Sequence, residues 1–194
     1  MAYTRKQAIT KKHFKLALLD LLKSKSFNDI TIKDITETAE YDRSSFYRYF
    51  DDKYQLLENI EDDLISGIEK KYQKVFKTNE SIVFDTQTMA SLLSMFDNPS
   101  VLSTINLLLG NNGDRSFEPK LNRMFAKIFY SRSQTTPNIS EKNDLIGQYL
   151  AGLFIQTVRY KSSPHPTIST EQLAVILNDI YFNGFVASLH NHQK

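Results

Sequence analysis

The sequence predicts an all-α fold: a three-helix N-terminal unit joined by a long helix to a larger helical domain. Three observations predict it. Apolar residues recur at helical spacing almost throughout, and two-residue alternation is scarce. Gly and Pro, the usual punctuation of strands and turns, number only 6 and 5 in 194 residues. Residues 31–50 hold two short helical patterns around a tight turn, preceded by a longer amphipathic one.

The first helix is expected over about residues 4–24, with Ile9, Phe14, Ala17, Leu18, Leu21 and Leu22 facing inward. Thr31 opens the second. A hydroxyl at the cap and Asp34 three residues later form a capping-box pattern, and Ile32, Ile35 and Ala39 give the buried side. Ala39-Glu40-Tyr41 forms the turn, and a third short helix runs from about Asp42 to Tyr49. Glu40 must avoid positive φ there or accept a strain of roughly 1–2 kcal/mol. Asp42 is a good cap, but its carboxylate repels phosphate, so it is assigned no nucleic-acid contact. Phe46 and Phe50, four apart, anchor the inner face of this helix.

A fourth helix opens at Asp52, with Gln55 as a second box-like start, and continues to Lys77. At about 25 residues it is about 38 Å long, enough to join two domains. The boundary is placed in its first turns, giving domains 1–53 and 54–194. Further helices are expected over 86–96, 100–109, 117–132, 141–160 and 170–190, with loops at 110–114, 134–140 and 162–166.

Charge follows this division. Residues 1–53 hold 11 Lys and Arg against 8 Asp and Glu, whereas residues 54–194 hold 13 against 14. The whole chain carries only +2, which excludes a uniformly basic nucleic-acid coat but leaves room for a local basic face. There is no Cys, so disulfides, a thiol nucleophile and Cys-ligated zinc are excluded. The polar N-terminus has no apolar core of a signal peptide, and no apolar run approaches the roughly 18 residues of a spanning helix. A cytoplasmic protein without membrane association is expected.

Catalytic chemistry finds no support. His13, His165, His190 and His192 show no metal-binding spacing, and the adjacent pairs Asp51-Asp52 and Asp62-Asp63 point to different helix faces. Neither a phosphate-binding loop nor a dinucleotide fingerprint nor a nucleophile elbow is present. No enzyme activity, cofactor or metal is expected.

The third helix carries Arg43, Ser44, Ser45, Tyr47, Arg48 and Tyr49. A short exposed helix with two Arg, two Ser and two Tyr suits the DNA major groove, where its N-terminal residues meet base edges and hydroxyl and cationic groups meet phosphates. Residues 8–57 resemble the DNA-binding domain of the TetR family of transcriptional regulators. The resemblance rests on Thr31-Ile32, Asp34-Ile35, Ala39, Ser45-Phe46-Tyr47, Phe50, Lys53 and Leu56-Leu57. It implies that Thr31 gives its amide and hydroxyl to a phosphate. Arg43, Ser44 and Ser45 then sit in the groove, and Tyr47, Tyr49 and Lys53 grip the backbone. Arg48 takes a phosphate or a base. The family often has His where this chain has Tyr49.

The last two helices look self-associating. Leu145, Tyr149, Gly152, Ile155 or Gln156 and Arg159 trace one face; Leu173, Leu177, Ile180, Gly184 and Ala187 trace another. Two such helices from each of two chains make a four-helix bundle about a two-fold axis. A homodimer reading two half-sites of a pseudo-palindromic operator, as a repressor, is expected. Residues 101–125 and 149–154 are also similar to one branch of the family, which includes regulators near dihydroxyacetone-kinase operons. The resemblance implies a pocket for a small apolar or amphipathic effector, with candidate lining from Met89, Leu93, Phe96, Ile105, Leu108, Met124, Phe125, Ile128, Tyr149 and Phe154. The alternative is a helical adaptor or co-regulator whose C-terminal domain binds a protein partner.

Overall fold

The computed structural model describes residues 2–77, 85–130, 141–163 and 165–184. Among these the fold is helical and without strands: α1 (Ala2–Leu21), α2 (Ile32–Ala39), α3 (Arg43–Tyr47), α4 (Lys53–Lys77), α5 (Thr86–Leu93), α6 (Pro99–Leu109), α7 (Phe117–Tyr130), α8 (Glu141–Lys161) and α9 (Thr170–Asn183). Two 3-10 turns, Phe27–Asp29 and Ser94–Asp97, were not expected from the sequence. The expected end of the last helix, with Ala187, and the expected loop over 134–140 lie outside the described residues.

The chain divides into two compact units. One comprises residues 1–66 and 104–117; the other comprises residues 67–103 and 118–194. The first is called the head below. It gathers α1, α2, α3 and the start of α4, but also the C-terminal part of α6 and the loop after it.

The head is built around aromatic rings. Phe14 is fully buried and meets Tyr41 at 5.2 Å, Phe46 at 5.3 Å and Phe50 at 6.4 Å between ring centroids. Leu18, Leu22, Ile35, Leu56 and Leu57 complete this core. The buried strip of α1 runs through Thr10, Phe14, Ala17 and Leu18, with the Thr10 hydroxyl donating to the carbonyl of Lys6. Ile9, expected inside, is 46% exposed: it lies one residue, about 100°, off that strip.

The break between α1 and α2 leaves backbone groups without helical partners, and two distant residues satisfy them. The Asn112 side chain donates to the carbonyl of Leu22 at 3.0 Å, and its own carbonyl accepts from the Phe27 amide at 2.8 Å. Lys53, the first residue of α4, donates to the carbonyls of Phe27, Asn28 and Ile30, each at 2.8 Å. Nothing in the local sequence of residues 22–30 signals either bond.

The second unit has its own core. Phe125 and Phe154 lie 4.7 Å apart, with Tyr72 set edge-on to Phe125 and Phe96 edge-on to Phe154. Met89, Leu92, Leu93, Leu173, Ala174 and Leu177 are buried, and α5 packs along α9. Asp97 accepts from Lys161 and from the Thr170 hydroxyl, and the Tyr160 hydroxyl accepts the amides of Thr167 and Ile168. Together these bonds fix the start of α9, which carries a complete capping box from Ser169 and Gln172.

Candidate nucleic-acid interface

The corner that presents α3 is set by caps. Thr31 accepts the Asp34 amide on its hydroxyl, and Asp34 returns a bond to the Thr31 amide at 2.8 Å. Lys25 adds a 2.6 Å ion pair to the same carboxylate. The Lys25 ammonium, the Thr31 amide and the Thr31 hydroxyl together hold the Asp34 carboxyl down at about 2. Glu40 ends α2 in the left-handed conformation, φ 59° and ψ 41°, so the chain accepts the strain that glycine would avoid. Asp42 then caps α3: its carboxylate takes the Ser45 amide and the Ser44 hydroxyl, each at 2.6 Å. Those bonds hold its pKa below the usual carboxylate value.

A folded pKa near 2, against 3.8 for an ordinary Asp, makes a pH prediction. The Asp34 contribution is fully present above about pH 4 and is lost as pH falls toward 2. Asp34→Asn should flatten this part of the acid limb of thermal stability, read by circular dichroism melts between about pH 4 and pH 2. An unchanged acid limb in the variant would remove Asp34 as a contributor.

The outward face of α3 is a row of donors. Phe46 is fully buried and Phe50 nearly so, which turns Arg43, Ser44, Tyr47 and Arg48 outward; all four are exposed. Arg43 donates to the Tyr47 hydroxyl at 3.2 Å, and its guanidinium lies 5.7 Å over the Tyr47 ring. That pairing holds a fork of N–H donors in one orientation. Ser45 and Tyr49 are half-buried at the edges of this face.

The family model described as bacterial regulatory proteins, tetR family, matches residues 17–60. Residues 17–60 thus carry the sequence pattern of that family. The chain is also similar to the uncharacterized HTH-type transcriptional regulator YxbF of Bacillus subtilis (strain 168). Identity there is 35% over 68 residues, covering 35% of this chain and 18% of that protein. Similarity to the HTH-type dhaKLM operon transcriptional activator DhaS of Lactococcus lactis subsp. lactis (strain IL1403) is 22% over 130 residues, covering 67% of this chain and 66% of that protein. The chain thus spans less than two thirds of either relative. A solved TetR transcriptional regulator from Streptococcus agalactiae 2603V shares the fold, with a TM-score of 0.64 and 24% identity over 93% of this chain and 97% of that one.

In this head the expected contact residues divide into two groups. Arg43, Ser44, Tyr47 and Arg48 share the exposed face with Ser45 and Tyr49 at its margins. Thr31 and Lys53 are engaged within the head. The Thr31 amide, expected to meet a phosphate, is bonded to Asp34; its hydroxyl keeps one hydrogen to donate. All three donors of Lys53 go to backbone carbonyls, its ammonium sits 4.9 Å over the Phe27 ring, and burial draws its pKa below the ordinary lysine value. Lys53 therefore fixes the α1–α2 corner in this structure. Sequence reasoning missed Lys25, whose pairing with Asp34 spans nine residues and has no motif.

The candidate effector residues are likewise separated. Met89, Leu93, Phe96, Met124, Phe125 and Phe154 are buried in the second unit. Ile105 and Leu108 are buried in the head instead. Tyr149 is 65% exposed and so departs from an interior lining: it sits on the outer stripe of α8. The Ile128 side chain lies outside the described residues. Among the described residues no helix is long and apolar enough to cross a membrane.

Proposed function

We propose that this chain is a transcriptional regulator that binds duplex DNA through α3 and reads a pseudo-palindromic operator as a homodimer. The observation that carries the reading is the exposed donor face Arg43-Ser44-Tyr47-Arg48, mounted on Phe46 and Phe50 within a TetR-family head. Such a helix fits the major groove, with base edges met from its N-terminal end.

Homodimerisation is supported by an apolar stripe. Leu145, Ile146, Tyr149 and Leu153 on α8, with Val175 and Phe182 on α9, are 38% to 65% exposed. They follow helical spacing on each element. Leu173 and Leu177, expected on the pairing face, are buried in the second unit, so the stripe replaces them as the proposed contact. Contiguous exposed apolar surface of this kind marks an interaction site, and a second copy presents the same stripe about a two-fold axis. The dimer acts as a repressor by occupying its operator. A small apolar effector, taken up among the Phe96, Phe125 and Phe154 rings of the second unit, sets its DNA affinity. That the DhaS relative is named an activator makes the sign of regulation a measured quantity for a reporter assay.

The test is a fluorescence anisotropy titration against DNA flanking the gene. With about eight phosphate contacts per dimer, log affinity should fall with log salt at a slope near −7. Sequence-independent binding, or none, at every such site ends the reading. Light scattering should show a dimer that Tyr149→Asp with Phe182→Asp converts to a monomer with much weaker operator binding.

A further inference from the structure

Six cations of the head are committed to partners within it. Lys15 pairs with Asp63, Lys23 with Asp20, Lys25 with Asp34 and Lys33 with Glu37. Lys53 is held by three carbonyls and Arg43 by Tyr47. Lys11 on α1 is different. Half-buried, it makes no hydrogen bond or ion pair among the described residues. Its ammonium lies instead against two ring faces, 5.9 Å from the Tyr49 centroid and 5.8 Å from the Phe50 centroid. These rings stand two and three residues beyond the end of α3, and 38 positions of sequence separate Tyr49 from Lys11. The neighbouring acids are occupied in starting α4: Asp52 accepts the Gln55 amide and Asp51 accepts the Gln55 side chain.

We propose that Lys11 and Tyr49 together hold one phosphodiester of duplex DNA beside the C-terminal end of α3. The DNA interface then extends onto α1, beyond the helix-turn-helix itself. The chemistry is direct. An ammonium and a phenol hydroxyl are both donors to phosphate oxygen, and the charged one makes the stronger bond. Ring contact leaves the N–H groups of Lys11 without acceptors, and it restrains the long side chain. Less rotamer freedom is then lost when a phosphate arrives.

The proposal rests on the DNA-binding reading above, and its experiment separates the two. The full chain is titrated by anisotropy against a labelled mixed-sequence duplex of about 30 base pairs, about three helical turns, over a series of KCl concentrations. In a dimer Lys11→Gln removes two phosphate contacts, so the log–log slope should become shallower by about 1.8. It should weaken all sequences alike. Lys11→Arg should retain the wild-type slope. Tyr49→Phe keeps the ring and removes the hydroxyl, so it should lower affinity several-fold at unchanged slope. A wild-type slope in Lys11→Gln overturns the proposal. If Lys11→Gln fails to fold by thermal melt, Lys11→Met keeps an unbranched chain of similar length without the charge, and its slope decides by the same criterion. A wild-type chain without salt-dependent binding overturns the DNA reading, and this proposal with it.

Discussion

Phe14→Ala is expected to unfold the head while leaving the core of the second unit in place. The ring is fully buried and touches Tyr41, Phe46 and Phe50. Truncating such a phenylalanine costs about 3–5 kcal/mol, because transfer energy is lost and a cavity remains. A small domain holds about 5–15 kcal/mol in total, so the head alone has little reserve. Hydrogen exchange should therefore accelerate over residues 14–60, and DNA binding should disappear. Exchange at Phe125, Phe154 and Leu177 should stay close to wild type. A loss below about 1 kcal/mol would mean the aromatic cluster can collapse around the gap, and the account of the head core would be wrong.

Gly113→Ala is expected to be nearly as damaging, though the residue is half-buried and has no side chain. A Cβ at this position would lie 2.2 Å from the Leu108 carbonyl oxygen and 2.7 Å from that of Leu107. Both are backbone atoms, so no rotamer change relieves the clash and the loop must move. Overpacking of this kind costs about 3 kcal/mol at the upper end of its usual range. Movement of the loop also draws the Asn112 carbonyl off the Phe27 amide, so fast exchange of that amide is the specific signature. Gly67→Ala is the control: it lies within α4 with nothing near its Cβ, and should stabilise the helix by about 0.5–1 kcal/mol. Equal effects at the two glycines would defeat the argument.

The sequence carried the helices because their signals are local. Thr31 with Asp34, Asp42 at the start of α3, and the four-residue spacing of Phe46 and Phe50 each announce a cap or a buried face within a few positions. The outward set on α3 followed from the same periodicity. What escaped notice depends on contacts between distant positions. Lys53 read as a phosphate ligand because the motif says only that a cation stands there; which carbonyls surround it is a matter of packing 23 to 26 residues away. Tyr149 read both as a pairing-face residue and as a pocket lining, because helical spacing identifies a stripe but not what it faces; its exposure removes only the second reading. Ile105 and Leu108 read as part of the second domain because chain order, unlike the fold, is linear.

Asn112 makes this last point concrete. One residue of the α6–α7 loop closes both ends of the gap between Leu22 and Phe27. The head is consequently not a portable cassette. A chimera that grafts only residues 1–66 onto another scaffold leaves that gap open to water, and a working transplant must bring residues 104–117 along with it.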